Sequence, residues 1–171
     1  PSSHGIDFTQ SRLTTISANT ISILGSLGGE GLLPDGTVFA HFSTHDIATN
    51  NTIDGLPIFY FGGAGSSPAC PNNTILNNPV AAHVSLVGCE NVTLTNFNSQ
   101  DTIYLIGTNN SRVTNSQIIG NKRGIQLIQG SSGNTLFNNT ISTTAEAPGP
   151  SIGINVSGSP ISLPGSPTIS P

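Results

Sequence analysis

The chain has 171 residues, enough for one domain with a continuous core, yet only 7% are charged and the net charge is −4. Soluble domains typically carry about 25% charged residues, so the polar surface here must be built from uncharged Asn, Thr, Ser and Gly. A total of four Lys and Arg argues against binding nucleic acid through its phosphates, and no apolar run is long enough for membrane insertion.

From the N-terminus, residues 1–35 read as an irregular arm or cap with strand character. SRLTTISANTISILG is strand-like, and GSLGGEGLLPDG is a Gly-rich loop. There is no Met, and the chain begins at Pro1, which reads as a mature product after signal-peptide removal. Phe39, Phe42, Phe59, Tyr60 and Phe61 cluster ahead of the regular part, as core or interface rather than a sugar-stacking patch, since Trp is absent. His41 and His45 fall on one face of a strand about 13 Å apart, too far to share a metal, and the four histidines read as surface or loop groups.

Residues 36–158 carry a repeat. NNTILNNPV, NVTLTNFNS, SRVTNSQII and GNTLFNNTI recur, alternating with HVSLVG, TIYLIG, GIQLIQG and GINVSG. A period near 20 residues is too short for helical hairpins and suits coils of parallel strands, with almost no helix. The expected fold is all-β, a right-handed parallel β-helix with about 19–23 residues per coil. Apolar columns read Ile53, Ile75, Leu94, Val113, Leu136 and Ile58, Val80, Ile118, Ile141. The second phrase supplies Val84, Ile103, Ile125, Ile154 and Leu86, Leu105, Leu127, Val156, alternating with polar residues as half-buried strands do.

Rungs about 4.8 Å apart bring like residues into contact. Asn77, Asn96, Asn115 and Asn138 then form an Asn ladder holding a corner, because Asn tolerates the left-handed conformation. Cys70 and Cys89 share the 19-residue offset of Ile75 and Leu94, which predicts a disulfide between adjacent rungs. Metal binding by two free thiols would need further Cys or His partners. Asp101 and Arg123, 22 residues apart like Ile103 and Ile125, are expected to stack as an exposed ion pair.

Irregular excursions are expected at 61–73 and 143–153. Residues 159–171 read as a Pro-rich terminal rung or tail, where proline stops further strand pairing. Six sequons, at Asn50, Asn72, Asn91, Asn109, Asn138 and Asn155, are glycosylation candidates and agree with an extracellular or cell-surface setting.

HDIATNNTIDGLPIFYF (45–61), VSLVGCENVTLTNFN (84–98) and GIQLIQGSSGNTLFNNTIS (124–142) resemble the NosD-like parallel β-helix repeat proteins. Similar domains occur in archaeal surface-layer and sheath-type proteins. The resemblance covers about 45–142 and implies a right-handed parallel β-helix outside the cytoplasm. It specifies fold well and activity poorly. A copper role does not follow, since Met is absent and no His or Cys cluster suits copper.

Glycoside hydrolysis needs carboxylates about 5 to 9.5 Å apart. Asp7, Glu30, Asp35, Asp46, Asp54, Glu90, Asp101 and Glu146 include no adjacent pair and form no column. Catalytic, cofactor and metal residues are therefore expected to be absent. The expectation is a structural, self-assembling extracellular protein whose partner is a further copy of itself, in a filament, sheath or surface layer. The competing class is a module that binds or processes surface glycans.

Overall fold

The structure, a computed structural model, describes residues 5–23, 30–62, 68–120, 123–143 and 152–157. The tail at 159–171, most of the excursion at 143–153, and His4 and Glu146 lie outside the described residues.

The N-terminal part comprises β1 (Ile6–Thr9), β2 (Thr15–Ile16), β3 (Thr20–Ile21), β4 (Leu32–Asp35), the single turn α1 (Ala40–Ser43), β5 (Asp46–Ile47), β6 (Thr52–Ile53) and β7 (Leu56–Phe61). The repeats supply β8 (Ile75–Asn77), β9 (His83–Val87), β10 (Thr93–Thr95), β11 (Asn98–Ser99), β12 (Ile103–Ile106) and β13 (Arg112–Thr114). Beyond them lie β14 (Gln117–Gly120), β15 (Arg123–Ile128), β16 (Thr135–Phe137), β17 (Thr140–Thr143) and β18 (Ile152–Val156).

These strands stack as a parallel β-solenoid. One wall is β8-β10-β13-β16, a second is β11-β14-β17, and the largest sheet runs β18-β15-β12-β9-β7-β6-β3. Among the described residues every pairing is parallel except β6 with β7, a hairpin closed by Asp54 and Gly55 at φ 49° and 82°. Two central residues at positive φ give the turn whose twist matches the flanking strands, which explains the Asp-Gly pair.

Inside, Leu76, Leu94, Val113 and Leu136 lie in register. So do Phe59, Val84, Ile103, Ile125, Ile154 and Phe61, Leu86, Leu105, Leu127, Val156. Each fully buried apolar side chain contributes about 1.5–3 kcal/mol, so these columns are the main stabilising term.

The sequence register slips by one residue at the first rung. Leu76, not Ile75, faces Leu94, and Ile75 is 69% exposed. Val80 bridges Asn98 and is 64% exposed, while Ala81 is buried. The coil here is 18 residues long, as between Asn73 and Asn91, rather than 19. Ile75-Leu76, Asn77-Asn78 and Val80-Ala81 are doublets of like residues, so periodicity fits either register, and one residue exchanges the faces. Neither Ile53 nor Ile58 belongs to the columns assigned from sequence: Ile53 pairs with Ile21 and Leu56, and Ile58 with His83. Coil length then grows, with offsets of 19, 23 and 29 residues between successive rungs.

The N-terminal segment folds back on its own solenoid. β1 pairs with β4 and β2 with β5, and this overlay covers the outer face of β7, β9 and β12, while β3 and β6 continue the large sheet beyond β7. Phe8, Leu32, Phe42 and Ile47 pack there against Ile58, Tyr60, Val87, Tyr104 and Ile106 as a second core. The middle of the large sheet is thus buried on both faces, and every residue of β9 and β12 is buried. A doubly covered parallel strand tolerates a continuous apolar run, which accounts for IYLI.

Candidate functional site

Three arrangements of polar groups stand out: the corners of the coil, a buried cluster under the overlay, and a cleft beside it.

At the corners, side chains of one rung satisfy backbone groups of the rung below. Ser111 Oγ accepts from Val92 N, and Asn134 Oδ1 accepts from Ser111 N. Ser116 and Asn139 do the same for Phe97 and Ser116. Asn134 and Asn139 also donate to the carbonyls of Thr108 and Val113. Backbone N–H groups at a buried corner have no ladder partner, so each would otherwise be an orphan donor. Ser and Asn are short enough to fill the corner and close the bond.

The outer corners carry Asn in the left-handed region. Asn78, Asn96, Asn115 and Asn138 have φ of 51–54°, and Asn73, Asn91 and Asn110 form a second such column, joined by Gly133. Asn96 Nδ2 donates to Asn77 Oδ1, and Asn138 Nδ2 to Asn115 Oδ1, each at 2.8 Å. On the first rung the left-handed position is Asn78, consistent with the register slip. The second column was missed in the sequence because its Gly133 breaks the Asn pattern.

Cys70 and Cys89 form a disulfide with Cα atoms 5.4 Å apart. Among the six sequon residues, Asn50, Asn72, Asn91 and Asn138 are exposed, and Asn109 and Asn155 are half-buried. Asn50 Oδ1 accepts from Ala18 N, Asn72 Oδ1 from Glu90 N and Asn109 Oδ1 from Ser132 N. Asn91, Asn138 and Asn155 instead donate through Nδ2 to the preceding rung.

Under the overlay, His83 Nδ1 lies 3.1 Å from Asp101 Oδ2 and His83 Nε2 lies 2.7 Å from Ser85 Oγ. Alternation along β9 puts His83 and Ser85 on the same outer face. With Nδ1 donating to the carboxylate, Nε2 accepts from the Ser85 hydroxyl. Asp101 also accepts from the backbone N–H groups of Thr102 and Leu32, the latter in the overlay. The order serine, histidine, aspartate has the connectivity of an acyl-transfer triad. All three residues are 0% exposed, so in this structure no substrate carbonyl can approach Ser85. Here the chain of bonds satisfies polar groups between two layers.

Beside it, Glu30 is buried at 1% exposure and receives hydrogen bonds from Thr102 Oγ1, Tyr104 OH and Arg123 Nη1. Burial opposes charge on Arg123, but the Glu30 carboxylate, with Tyr104 and Asp35, raises its pKa above the ordinary value. Burial, reinforced by Glu30, raises that of Tyr104.

Two sequence expectations are corrected here. Asp101 and Arg123 do not pair: Asp101 is taken by His83 and Arg123 by Glu30, since the overlay brings in closer partners. The histidines described are not surface groups, with His41, His45 and His83 all buried. His41 and His45 sit in and just after α1 rather than on a strand, and His45 Nε2 bonds the His41 carbonyl at 2.8 Å. Phe42 and Tyr60 are core residues, and Tyr60 OH donates to the Phe42 carbonyl. Among the described residues, no group of three or more His, Cys, Asp or Glu is placed to hold a metal ion.

The cleft, of about 530 Å³, opens where the overlay ends, between Leu33–Thr37 and the outer face of β15 and β18. Tyr104, Gln126 and Asn155 stand in register along its floor.

No protein-family model, curated protein or solved structure matches this chain.

Proposed function

We propose that the protein is a structural, self-assembling extracellular protein, the subunit of a filament, sheath or surface layer, whose solenoids associate end to end. The observation carrying this reading is that, among the described residues, both ends of the stack leave strand edges unpaired and apolar. At the first rung, Ile75 and Val80 are 69% and 64% exposed, and at the last Phe137, Ile154 and Val156 are 66%, 50% and 43% exposed. β8 is one edge of its sheet and β16 the other, while β18 ends the largest sheet. An open parallel edge is a template for another strand, and isolated β-solenoids normally cover or charge it. Here only 7% of residues are charged, leaving little repulsion to oppose association. Among the described residues the one helical turn, α1, lies in the overlay rather than over the last rung.

An extracellular setting is compatible with the disulfide and with the absence, among the described residues, of a helix long and apolar enough to cross a membrane. The resemblance of residues 45–142 to NosD-like repeat proteins points the same way.

Light scattering and electron microscopy test the reading. The wild type should form elongated polymers without added ligand. Phe137→Lys and Val156→Lys place a charge at the exposed edge and should leave monomers with unchanged circular dichroism. A wild type that stays monomeric at high concentration overturns it.

A further inference from the structure

We propose that the cleft beside the overlay is a binding site for a neutral sugar unit. This goes beyond the assembly reading and does not rest on it.

The starting observation is a broken ladder. Along the outer face of the largest sheet, Asn155 Nδ2 donates to Gln126 Oε1 at 2.8 Å. By the pattern of the other columns, Gln126 should pass a hydrogen bond to the rung below. That rung presents Tyr104, whose hydroxyl is already engaged with Glu30 and Arg123. Gln126 is only 3% exposed, and its Nε2 is buried without a hydrogen-bond partner among the described residues. A buried amide donor left open is costly, and of the two buried side-chain polar atoms without a partner among the described residues, Ser11 Oγ and Gln126 Nε2, only the latter lines the cleft.

The surroundings match one ligand chemistry. Asn155 retains Oδ1 as an acceptor, Arg123 is 30% exposed with N–H groups not used on Glu30, and Asp35 offers an exposed carboxylate. Donors and acceptors thus lie in one cleft beside the apolar walls of Pro34 and Ile128. Sugars present this combination, with hydroxyls that both donate and accept and ring C–H faces that pack on apolar surface. Charge selects within the class. Among the described residues, Glu30 and Asp35 against Arg123 leave a net negative charge, which disfavours uronates and sulfated sugars. The volume lies in the range of small-ligand sites, and fits a short oligosaccharide. The sugar could belong to a separate glycan or be attached at Asn155, whose sequon faces the same cleft. Intact-mass analysis of native protein distinguishes the two.

The test is a ¹⁵N NMR titration of the whole chain, expressed without glycans. Maltotriose, cellotriose and a trigalacturonate serve as probes. The side-chain amide pair of Gln126 is assigned by its loss in Gln126→Leu. At least one neutral trisaccharide should shift this pair saturably, and Gln126→Leu should weaken binding about tenfold. Asp35→Ala, at an exposed position, should weaken it similarly and serves if Gln126→Leu does not fold. No saturable shift with either neutral probe, equal binding by both variants, or preference for the trigalacturonate would overturn the proposal.

Discussion

Arg123 on the solenoid meets the Glu30 carboxylate of the overlay at 3.2 Å, across 93 residues of sequence. The carboxylate is fully buried while the guanidinium keeps 30% exposure. Removing the cation therefore strands a charge, whereas removing both partners does not. Arg123→Ala should lower stability by about 3 kcal/mol, near the low end for breaking a buried pair because Arg123 is partly solvated. Arg123→Ala with Glu30→Gln should recover part of that loss. Hydrogen exchange should show β1 and β4 opening first; uniform destabilisation of all sheets would contradict this.

The disulfide closes a loop with a sequence separation of 19 residues. By loop entropy, replacing Cys70 and Cys89 by Ser should cost about 3 kcal/mol. Chemical denaturation of the oxidised and doubly substituted proteins measures it, and identical midpoints would contradict the estimate.

Phe39 lies over the left-handed column of Gly88 and Gly107. A Cβ on Gly107 would fall 2.6 Å from Phe39 Cε2, whereas one on Gly130 would meet nothing within 4 Å. Both glycines have positive φ, 57° and 78°. Gly130→Ala should cost about 1 kcal/mol from backbone strain alone. Gly107→Ala should cost more, and Phe39→Ala should be less damaging in that background than in the wild type. Additive losses would mean that Phe39 is not the obstacle.

Ser111 and Ser116 close corners from the rung above. Ser111→Ala should cost about 1–3 kcal/mol by orphaning the Val92 N–H, which should then exchange faster with solvent. Unchanged exchange at Val92 would mean another group satisfies it.

His45 supplies a pH dependence. Burial, the largest influence, lowers its pKa below 6.5; proximity to His41 adds to this and the bond to the His41 carbonyl opposes it. The unfolded chain takes up a proton near pH 6.5 that the folded chain refuses, so stability falls as pH drops through that value. The loss levels off below the folded pKa. Urea midpoints should fall between about pH 7 and 5, and less steeply in His45→Asn. Equal slopes in the two proteins would remove His45 as the cause.

The solenoid was legible because its cause is local and repeated. Leu94, Val113 and Leu136 recur at equal phase, and side chains of equal phase stack when strands superpose. The Cys70–Cys89 bond forms although the register that predicted it, Ile75 over Leu94, is off by one residue, because a Cα separation of 5.4 Å still suits a disulfide. The first rung was misread where Ile75-Leu76 and Val80-Ala81 offered two equivalent phases. The overlay was not legible at all. Its strands are two to four residues long, its offsets of 26 and 31 residues match no other coil, and its partners lie far along the chain. Nothing near Glu30 in sequence marks Arg123 as its counter-ion. Likewise the single-residue alternation of His83 and Ser85 resembles any strand face turned to solvent.

Sequence alone determined the period, the strand direction and the apolar columns, since each follows from short-range alternation and from stacking every rung on a copy of itself. Tertiary structure decided which outer face is covered, where Asp101 and Arg123 find their charges, and where Gln126 is left without a partner. Those outcomes depend on one non-repeating segment folding back over many residues, and no repeated pattern records that choice.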